Sequence, residues 1–373
     1  RLVKGVAALM KKNSVRVVEG TGRLAGPNRV SVALNDGGIT TLEADAVILA
    51  TGGRARTIPG VEVDGERVMV ARNALAMRDL PRSVIIVGAG AIGVEFAHIW
   101  RTYGAEVTLV EMMDHILPLE DEEVAQEVEK AFRRRKVRVL TSTRVEGVET
   151  AADGVQVRVQ KANGEQETLE AERALIAIGI RPNSEGLGLE EIGVETDRGW
   201  VVVDERMRTS VSGIWAIGDV TGKLPLAHVA SAQGIVAAED IAGRSPRPLD
   251  YGAMPRCTYC HPQVASFGLT EAQARQRGYD VRVGRFPFLA NGKALTLGER
   301  GGFVKLIVDG ATGRLLGAHL VGPEVTELLP ELVLARNAEL PLETIARSVH
   351  AHPTLSEVLA EAAHAVFDQA IHI

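Results

Sequence analysis

The stretch Ser83-Val84-Ile85-Ile86-Val87-Gly88-Ala89-Gly90-Ala91-Ile92-Gly93-Val94-Glu95 decides the fold. It opens on an apolar run that reads as a buried strand. Gly88, Gly90 and Gly93 follow at the spacing G-x-G-x-x-G, and Val94 to Tyr103 reads as a helix. A second apolar run, Glu106 to Val110, ends on Glu111. Strand, glycine turn, helix, strand and acid, in that order, is the arrangement that binds a dinucleotide. Gly88 permits the tight turn, Gly90 lets the backbone approach a pyrophosphate, and Gly93 lets helix and strand pack closely. The pyrophosphate rests on the exposed N–H groups of the helix start. Glu111 can accept hydrogen bonds from both adenosine ribose hydroxyls, and its charge repels a 2′-phosphate. The expected dinucleotide is therefore NAD rather than NADP. A bare glycine motif is weak. Its place between strand and helix, with the acid beyond, is what carries the reading.

Outward from this stretch, a chain of 373 residues suggests two or three domains. Hydrophobic residues at 46% and charged residues at 24% give the profile of a globular protein. A net charge of −6 offers no basic face to nucleic acid. No apolar stretch is long enough to span a bilayer, and no signal-peptide pattern opens the chain. Cys257 and Cys260 are the only cysteines, so no disulfide framework holds the fold, and a reducing, cytoplasmic location is expected. Arg1 to Lys12 reads as a helix already under way, which suggests that the natural N-terminus lies upstream.

An internal repeat carries the same suggestion. One copy runs from Val15-Arg16-Val17-Val18, through turns at Gly26-Pro27-Asn28 and Asn35-Asp36-Gly37-Gly38, to Val47-Ile48-Leu49-Ala50-Thr51-Gly52. The other runs from Val137-Arg138-Val139-Leu140, through Asp153-Gly154 and Asn163-Gly164, to Leu175-Ile176-Ala177-Ile178-Gly179. Each reads as a strand, a small antiparallel meander and a buried strand ending in glycine, with an arginine soon after (Arg54, Arg181). The second copy has the Gly88 fingerprint in front of it. An equal offset places the first copy's fingerprint upstream of Arg1. Two dinucleotide-binding domains are thus expected, the first lacking its opening strand, glycine turn and helix. Strand ends of parallel sheets are where such ligands bind.

Further on, Trp200 to Val203 reads as a strand. Gly213-Ile214-Trp215-Ala216-Ile217-Gly218-Asp219 reads as another ending in Gly-Asp, and Ala227 to Ala242 as a helix. Here the chain resembles the flavin-dependent pyridine nucleotide–disulfide oxidoreductases. The resemblance implies FAD as a cofactor, with Asp219 holding the ribityl chain. Pro225, Leu226, Ala227 and His228 would form the helix start facing the flavin ring, where N–H groups can stabilise negative charge. Thr51 and Gly52 match the family's Ala-Thr-Gly strand end, and Gly22 matches a backbone contact near the adenine. Taken alone, Asp219 reads as a turn or cap residue and His228 as a plain helix-start residue.

From Asp250 onward, strands alternate with amphipathic helices. Val264 to Gly268, Phe303 to Val308 and Leu315 to Val321 read as strands. Thr270 to Arg277, Val325 to Asn337 and Leu342 to Val349 read as helices. The segment His350-Ala351-His352-Pro353-Thr354-Leu355-Ser356-Glu357 carries chemistry. Pro353 favours an extended His352 and a helix start just after it, with Glu357 about one turn in. A carboxylate there can accept one imidazole N–H, fix the tautomer and raise the basicity of the other nitrogen. A lone histidine before proline is otherwise structural, and His350 reads as a supporting or packing residue.

This motif, with Met254-Pro255-Arg256 and Pro262-Gln263-Val264-Ala265-Ser266-Phe267-Gly268-Leu269-Thr270-Glu271, resembles the dihydrolipoyl dehydrogenase branch of the family along nearly the whole chain. The resemblance implies an α/β protein with two Rossmann-like dinucleotide-binding domains, for FAD and NAD, and an α+β C-terminal dimerisation domain. Residues 1–60 and 183–249 would bind FAD, 61–182 would bind NAD, and 250–373 would form a homodimer. It makes His352 the base and Glu357 its orienter, acting across the dimer. Glu95 would orient the nicotinamide, and Gly88, Gly90, Ile92, Gly93, Glu111, Val145 and Gly179 would complete the NAD contacts. It implies NAD-dependent oxidation of dihydrolipoamide carried on a lipoyl domain of a 2-oxo acid dehydrogenase complex. The family's redox disulfide has no counterpart among these residues and is expected upstream of Arg1. Cys257-Thr258-Tyr259-Cys260 has the wrong spacing and place for it, and no second ligand pair lies near for a metal. Mercuric reductase is the runner-up, but its terminal cysteine pair is absent. Glutathione reductase reads the NADP phosphate with arginines where Glu111 stands. A catalytically inactive, dimerising NAD-binding fragment is the alternative from another class.

Overall fold

Ser83–Val87 runs down the centre of a five-stranded sheet, with Val84, Ile85, Ile86 and Val87 all buried. The strand order is Val68–Val70, Arg173–Ile176, Ser83–Val87, Glu106–Val110, Arg138–Leu140. Every ladder in it is parallel. Such a sheet needs cover on both faces, which explains the continuous apolar runs. The computed structural model describes residues 2–373; Arg1, the first residue of the expected opening helix, lies outside them. The chain forms two units, one of the residues up to Arg54 with Ile180–Leu249, the other of Ala55–Gly179 with Asp250–Ile373.

In the second unit, the helices Ala91–Thr102 and Glu122–Arg134 cover one face of the parallel sheet. Val124, Val128 and Phe132 recur at a four-residue spacing and pack with Val94, Ala97 and Trp100 against Val84, Ile86, Val107 and Leu109. A three-stranded antiparallel meander, Thr143–Ala151, Gly154–Lys161 and Gln166–Ala171, supplies cover on the other face. Val155, Val157 and Val159 alternate inward along it and meet Val68, Ile85, Val87 and Val110.

The rest of this unit is an antiparallel sheet in the order Arg256–Thr258, Gln263–Gly268, Leu315–Gly322, Phe303–Asp309, Val281–Pro287. Every residue of Phe303–Asp309 is buried. The helices Val325–Asn337, Leu342–Arg347 and Glu357–Ala365 belong to the core on one side of it. Cys260, Val264, Phe303 and Val321 join the core of the Ala91–Thr102 and Glu122–Arg134 helices.

The first unit holds the helix Leu2–Lys12, the meander Gly20–Gly26, Arg29–Leu34 and Ile39–Glu43, and the parallel pair Val47–Leu49 with Ile214–Ala216. Meander followed by strand thus occurs in both units. Two expectations are corrected here. Val15–Val18 forms no strand; Val15 and Val17 are exposed, and no ladder partner lies beside them among the described residues. Trp200 to Val203 shortens to Trp200–Val201, paired with Thr196–Asp197. Among the described residues no helix is long and apolar enough to cross a membrane.

One buried carboxylate ties this unit together. Asp240 accepts from Arg208 Nε and Nη2 at 2.6 and 2.7 Å and from Trp215 Nε1 at 3.0 Å. The Arg208 guanidinium holds the Asp240 carboxyl below its usual range, with Trp215 assisting and burial opposing. A depressed folded pKa stabilises above the unfolded value, near 4, and that contribution is lost as pH falls through the folded pKa. Asp240→Asn should cost about 1–3 kcal/mol in a urea titration at neutral pH. The difference from the parent should shrink below about pH 4.

Candidate active site

The turn Gly88-Ala89-Gly90 leaves the Ser83–Val87 strand and feeds the helix Ala91–Thr102. Gly88 has φ +99°, and a Cβ there would lie 2.5 Å from the Ala177 carbonyl oxygen. A Cβ on Gly93 would lie 1.9 Å from the Gly88 carbonyl oxygen. Gly90 differs, since a Cβ there would meet nothing within 4 Å. Two glycines are demanded by the chain itself and the third leaves room for something outside it. Gly90 is also the N-cap, with no side-chain cap over the helix start. Those N–H groups suit an anion.

Glu111, buried at the end of the neighbouring strand, accepts from Ala89 N at 2.7 Å and from Met113 N at 2.9 Å. Two backbone donors fix the carboxylate beside the turn, and each oxygen keeps a lone pair for a hydroxyl. These residues fit the adenosine and pyrophosphate of NAD. Ile92 is 38% exposed in the first helical turn. Val145 is half-buried on the meander. Gly179 has φ +107° and open space at its Cβ position. Glu95, one turn into the helix, accepts from Tyr259 N at 2.8 Å. Burial pushes its carboxyl up, and the Tyr259 N–H partly opposes this.

In the same unit, His352 Nδ1 lies 2.9 Å from Glu357 Oε1, and Thr354 N donates to Glu357 Oε2 at 2.8 Å. The carboxylate is acceptor only, so Nδ1 carries the proton and Nε2 is the basic nitrogen. The imidazole is 77% exposed, open to an incoming group. Burial raises the Glu357 carboxyl, but the Thr354 N–H and His352 outweigh it and hold it below the usual range. Glu357 is the first residue of its helix rather than one turn in, a correction to the expected start. Residues 353–356 are non-helical, ending in a turn at 355–356, and the side chain reaches back across them. His350 is anchored through Nε2 to Glu331 Oε1 at 3.1 Å, a supporting contact.

In the first unit, Asp219 follows the Ile214–Ala216 strand in a short 3₁₀ turn, half-buried, with no partner for its carboxylate among the described residues. The helix Ala227–Ile241 begins without a side-chain cap, and Pro225, Ala227 and His228 are exposed at its head beside half-buried Leu226. Thr51 Oγ1 donates to Asn183 O at 2.7 Å, and Gly52, with φ +71°, accepts from Asn183 N at 2.9 Å. Packing makes no demand for glycine at Gly22, whose Cβ would make only an ordinary contact with Val30. An unpartnered acid and an uncapped helix start suit the hydroxyls of FAD and the negative charge its ring would carry when reduced.

Residues 1–234 match the family model described as pyridine nucleotide-disulphide oxidoreductase, and residues 254–363 match that family's dimerisation domain. The chain belongs to the pyridine nucleotide–disulphide oxidoreductases. A dihydrolipoyl dehydrogenase of Mycobacterium tuberculosis is 49% identical over 99% of this chain and 80% of its own length. The crystal structure of LpdA from the same organism superposes with a TM-score of 0.90 at 32% identity, covering 97% of this chain and 79% of that one. The HOCl-induced flavoprotein disulfide reductase RclA of Escherichia coli gives 0.83 at 28% identity, over 92% and 78%. The chain is therefore an oxidoreductase of the dihydrolipoyl dehydrogenase type, a flavoprotein whose family uses FAD and NAD, with two Rossmann-like domains and a C-terminal dimerisation domain.

Neither cysteine of this chain is set up as an activated thiol. Burial pushes the Cys260 thiol up to about 12 and also raises Cys257. A thiol held protonated is a poor nucleophile and a poor metal ligand. Three residues escaped the sequence reading. Fully buried Gln233 accepts from Gly218 N at 2.6 Å and pins the strand end that presents Asp219. Asn183 holds both Thr51 and the Arg54 guanidinium. Tyr259 holds Glu95 through its backbone. A glutamine on the buried face of the Ala227–Ile241 helix is the one available signal.

Proposed function

We propose that this protein oxidises dihydrolipoamide, borne on a lipoyl domain of a 2-oxo acid dehydrogenase complex, and passes the electrons to NAD in the cytoplasm. The observation that carries this reading is the His352–Glu357 pair, an oriented and exposed base in a chain that also has the glycine turn and Glu111. Bound FAD and NAD supply the electron and hydride chemistry. The chain's residues do the rest. His352 Nε2 takes a thiol proton from the substrate, and Glu357 holds the ring and stabilises the imidazolium that results. Gly88, Gly90, Ile92, Gly93, Val145, Gly179 and Glu111 bind the dinucleotide, and Glu95 orients its amide. Gly22, Thr51, Gly52, Asp219, Pro225, Leu226, Ala227 and His228 bind the flavin nucleotide.

In this reading residues 61–182 hold NAD, 1–60 with 183–249 hold FAD, and 250–373 join two copies so that His352 serves the partner's flavin. The redox disulfide comes from outside residues 1–373.

The test is anaerobic addition of dihydrolipoamide and NAD⁺ to the purified flavoprotein, followed by NADH absorbance. Turnover with NAD⁺ and little with NADP⁺ supports the reading. A flavoprotein that turns over another disulfide, but not lipoamide, sinks it. Glu111→Ala should raise KM for NAD⁺ about 10- to 100-fold and leave KM for dihydrolipoamide unchanged, because the bonds it loses, to the ribose, Ala89 N and Met113 N, all lie at the dinucleotide turn.

A further inference from the structure

We propose that Lys305 and Asp121 are positioning residues for NAD, through which the antiparallel sheet of the dimerisation domain holds the loop 111–121 against the glycine turn. The inference rests on the reading of Gly88–Glu111 as the NAD site.

The loop touches the turn where it begins, at Glu111, and again at Leu117. Ala89 N donates to Glu111 Oε2 at 2.7 Å, and Leu117 N donates back to Ala89 O at 2.8 Å. Ile116 and Leu117 are buried, and Leu117 holds φ +49°, a left-handed conformation costly for a leucine. Such a conformation persists only where surrounding contacts over-determine it.

Past Leu117, whose carbonyl accepts from Glu120 N at 2.9 Å, the loop ends at Asp121. Its Oδ1 accepts from Glu123 N at 3.2 Å, capping the Glu122–Arg134 helix. Its Oδ2 accepts from Glu271 N at 3.3 Å, at the start of the Glu271–Gln276 helix of the dimerisation domain. Lys305, on the interior strand Phe303–Asp309 and 3% exposed, reaches both oxygens at 3.0 and 3.2 Å. The same ammonium meets Glu123 at 2.7 Å and Glu271 at 2.8 Å.

The joint is charge-balanced. Arg285 faces Glu123, Arg275 faces Glu271, and Arg256 faces Glu120. Glu120 Oε2 and buried His319 Nδ1 face each other at 4.0 Å, and neither has a hydrogen-bond partner among the described residues. Burial opposes the Lys305 charge, but the surrounding carboxylates push its pKa up to about 12, so it stays ionised at every working pH.

Adhesion alone does not call for this arrangement. An apolar plug would join the two domains as well, because burying ions costs much of what their attraction returns. Directional bonds from one rigid strand fix the register of the loop's last residue, which greasy packing does not. The register so fixed is that of Leu117 on Ala89, and through Ala89 that of Glu111 and the glycine turn.

The experiment uses the full-length flavoprotein dimer and its Lys305→Met and Asp121→Asn variants. Direct NADH binding is read by fluorescence titration and paired with steady-state kinetics. NADH affinity should fall about tenfold in each variant, with KM for NAD⁺ rising in step and KM for dihydrolipoamide unchanged. Folded variants with parental NADH affinity overturn the proposal. Asp121→Asn keeps a helix-capping acceptor and so guards against a Lys305→Met that does not fold. If neither folds, the joint serves folding alone and the positioning role is likewise overturned. Glu111→Ala separates this claim from the one beneath it. If that variant also binds NADH like its parent, the NAD site itself is misplaced. If it weakens binding while the other two do not, only the positioning role fails.

Discussion

His352→Gln lowers kcat for dihydrolipoamide oxidation about a hundred- to ten-thousand-fold, the usual contribution of a positioned general base. NADH oxidation by an artificial one-electron acceptor stays at the parental rate, because no thiol proton moves in it. The split matters more than the loss. A fall in both activities would mean that the substitution damaged the dimer or the flavin site, and the assignment of the base would then fail. Glu357→Gln refines the same expectation. The carboxylate holds the imidazole by Nδ1 and offsets the charge the ring acquires when Nε2 takes the proton. The kcat for dihydrolipoamide should therefore fall about tenfold, with NADH oxidation by the artificial acceptor unchanged. A parental kcat contradicts the orienting role.

Gly93→Ala is the second large effect. A Cβ there would stand 1.9 Å from the Gly88 carbonyl oxygen, a backbone atom that no rotamer change can remove. Helix and strand must separate at the turn that presents Gly90 and Ala89. The expected cost is about 3 kcal/mol in a urea titration, with NADH affinity down by at least about tenfold. Gly90→Ala is its counterpart. Its Cβ meets nothing within 4 Å in the protein, so stability should change by under about 1 kcal/mol while NADH affinity falls. If Gly90→Ala destabilises the protein and spares NADH, the division between structural and ligand-demanded glycines is wrong.

The parts of the fold that were legible in the sequence are those where backbone sterics leave a mark. The strand Ser83–Val87 stands where the sequence puts it, whereas the helix expected from Val94 begins at Ala91, because the glycine at 93 masks the first helical turn. Val15–Val18 has the composition of a strand yet forms none, since a strand is a property of a ladder and not of a segment. Asp219 and Thr51 could be singled out only through resemblance; one acid or hydroxyl at a strand end looks like any turn residue. Gln233 and Asn183 left almost no trace. Their work is to bond backbone groups far away in sequence, and such contacts impose no periodicity. Lys305 was equally hidden, sitting in a strand that reads as uniformly apolar on either side of it.

The helices behind the glycine turn share one hydrophobic core with the sheet that carries Phe303 and Val321. Neither layer can melt and leave the other's apolar face dry, so the two rise and fall together in stability. A dinucleotide that binds the native turn then braces the subunit-pairing layer by mass action, about 2.7 kcal/mol at a hundredfold excess over its dissociation constant. Where NAD occupies this turn, its binding would then lengthen the life of the quaternary structure. Protein starved of NAD would be turned over sooner, before any catalytic residue had changed.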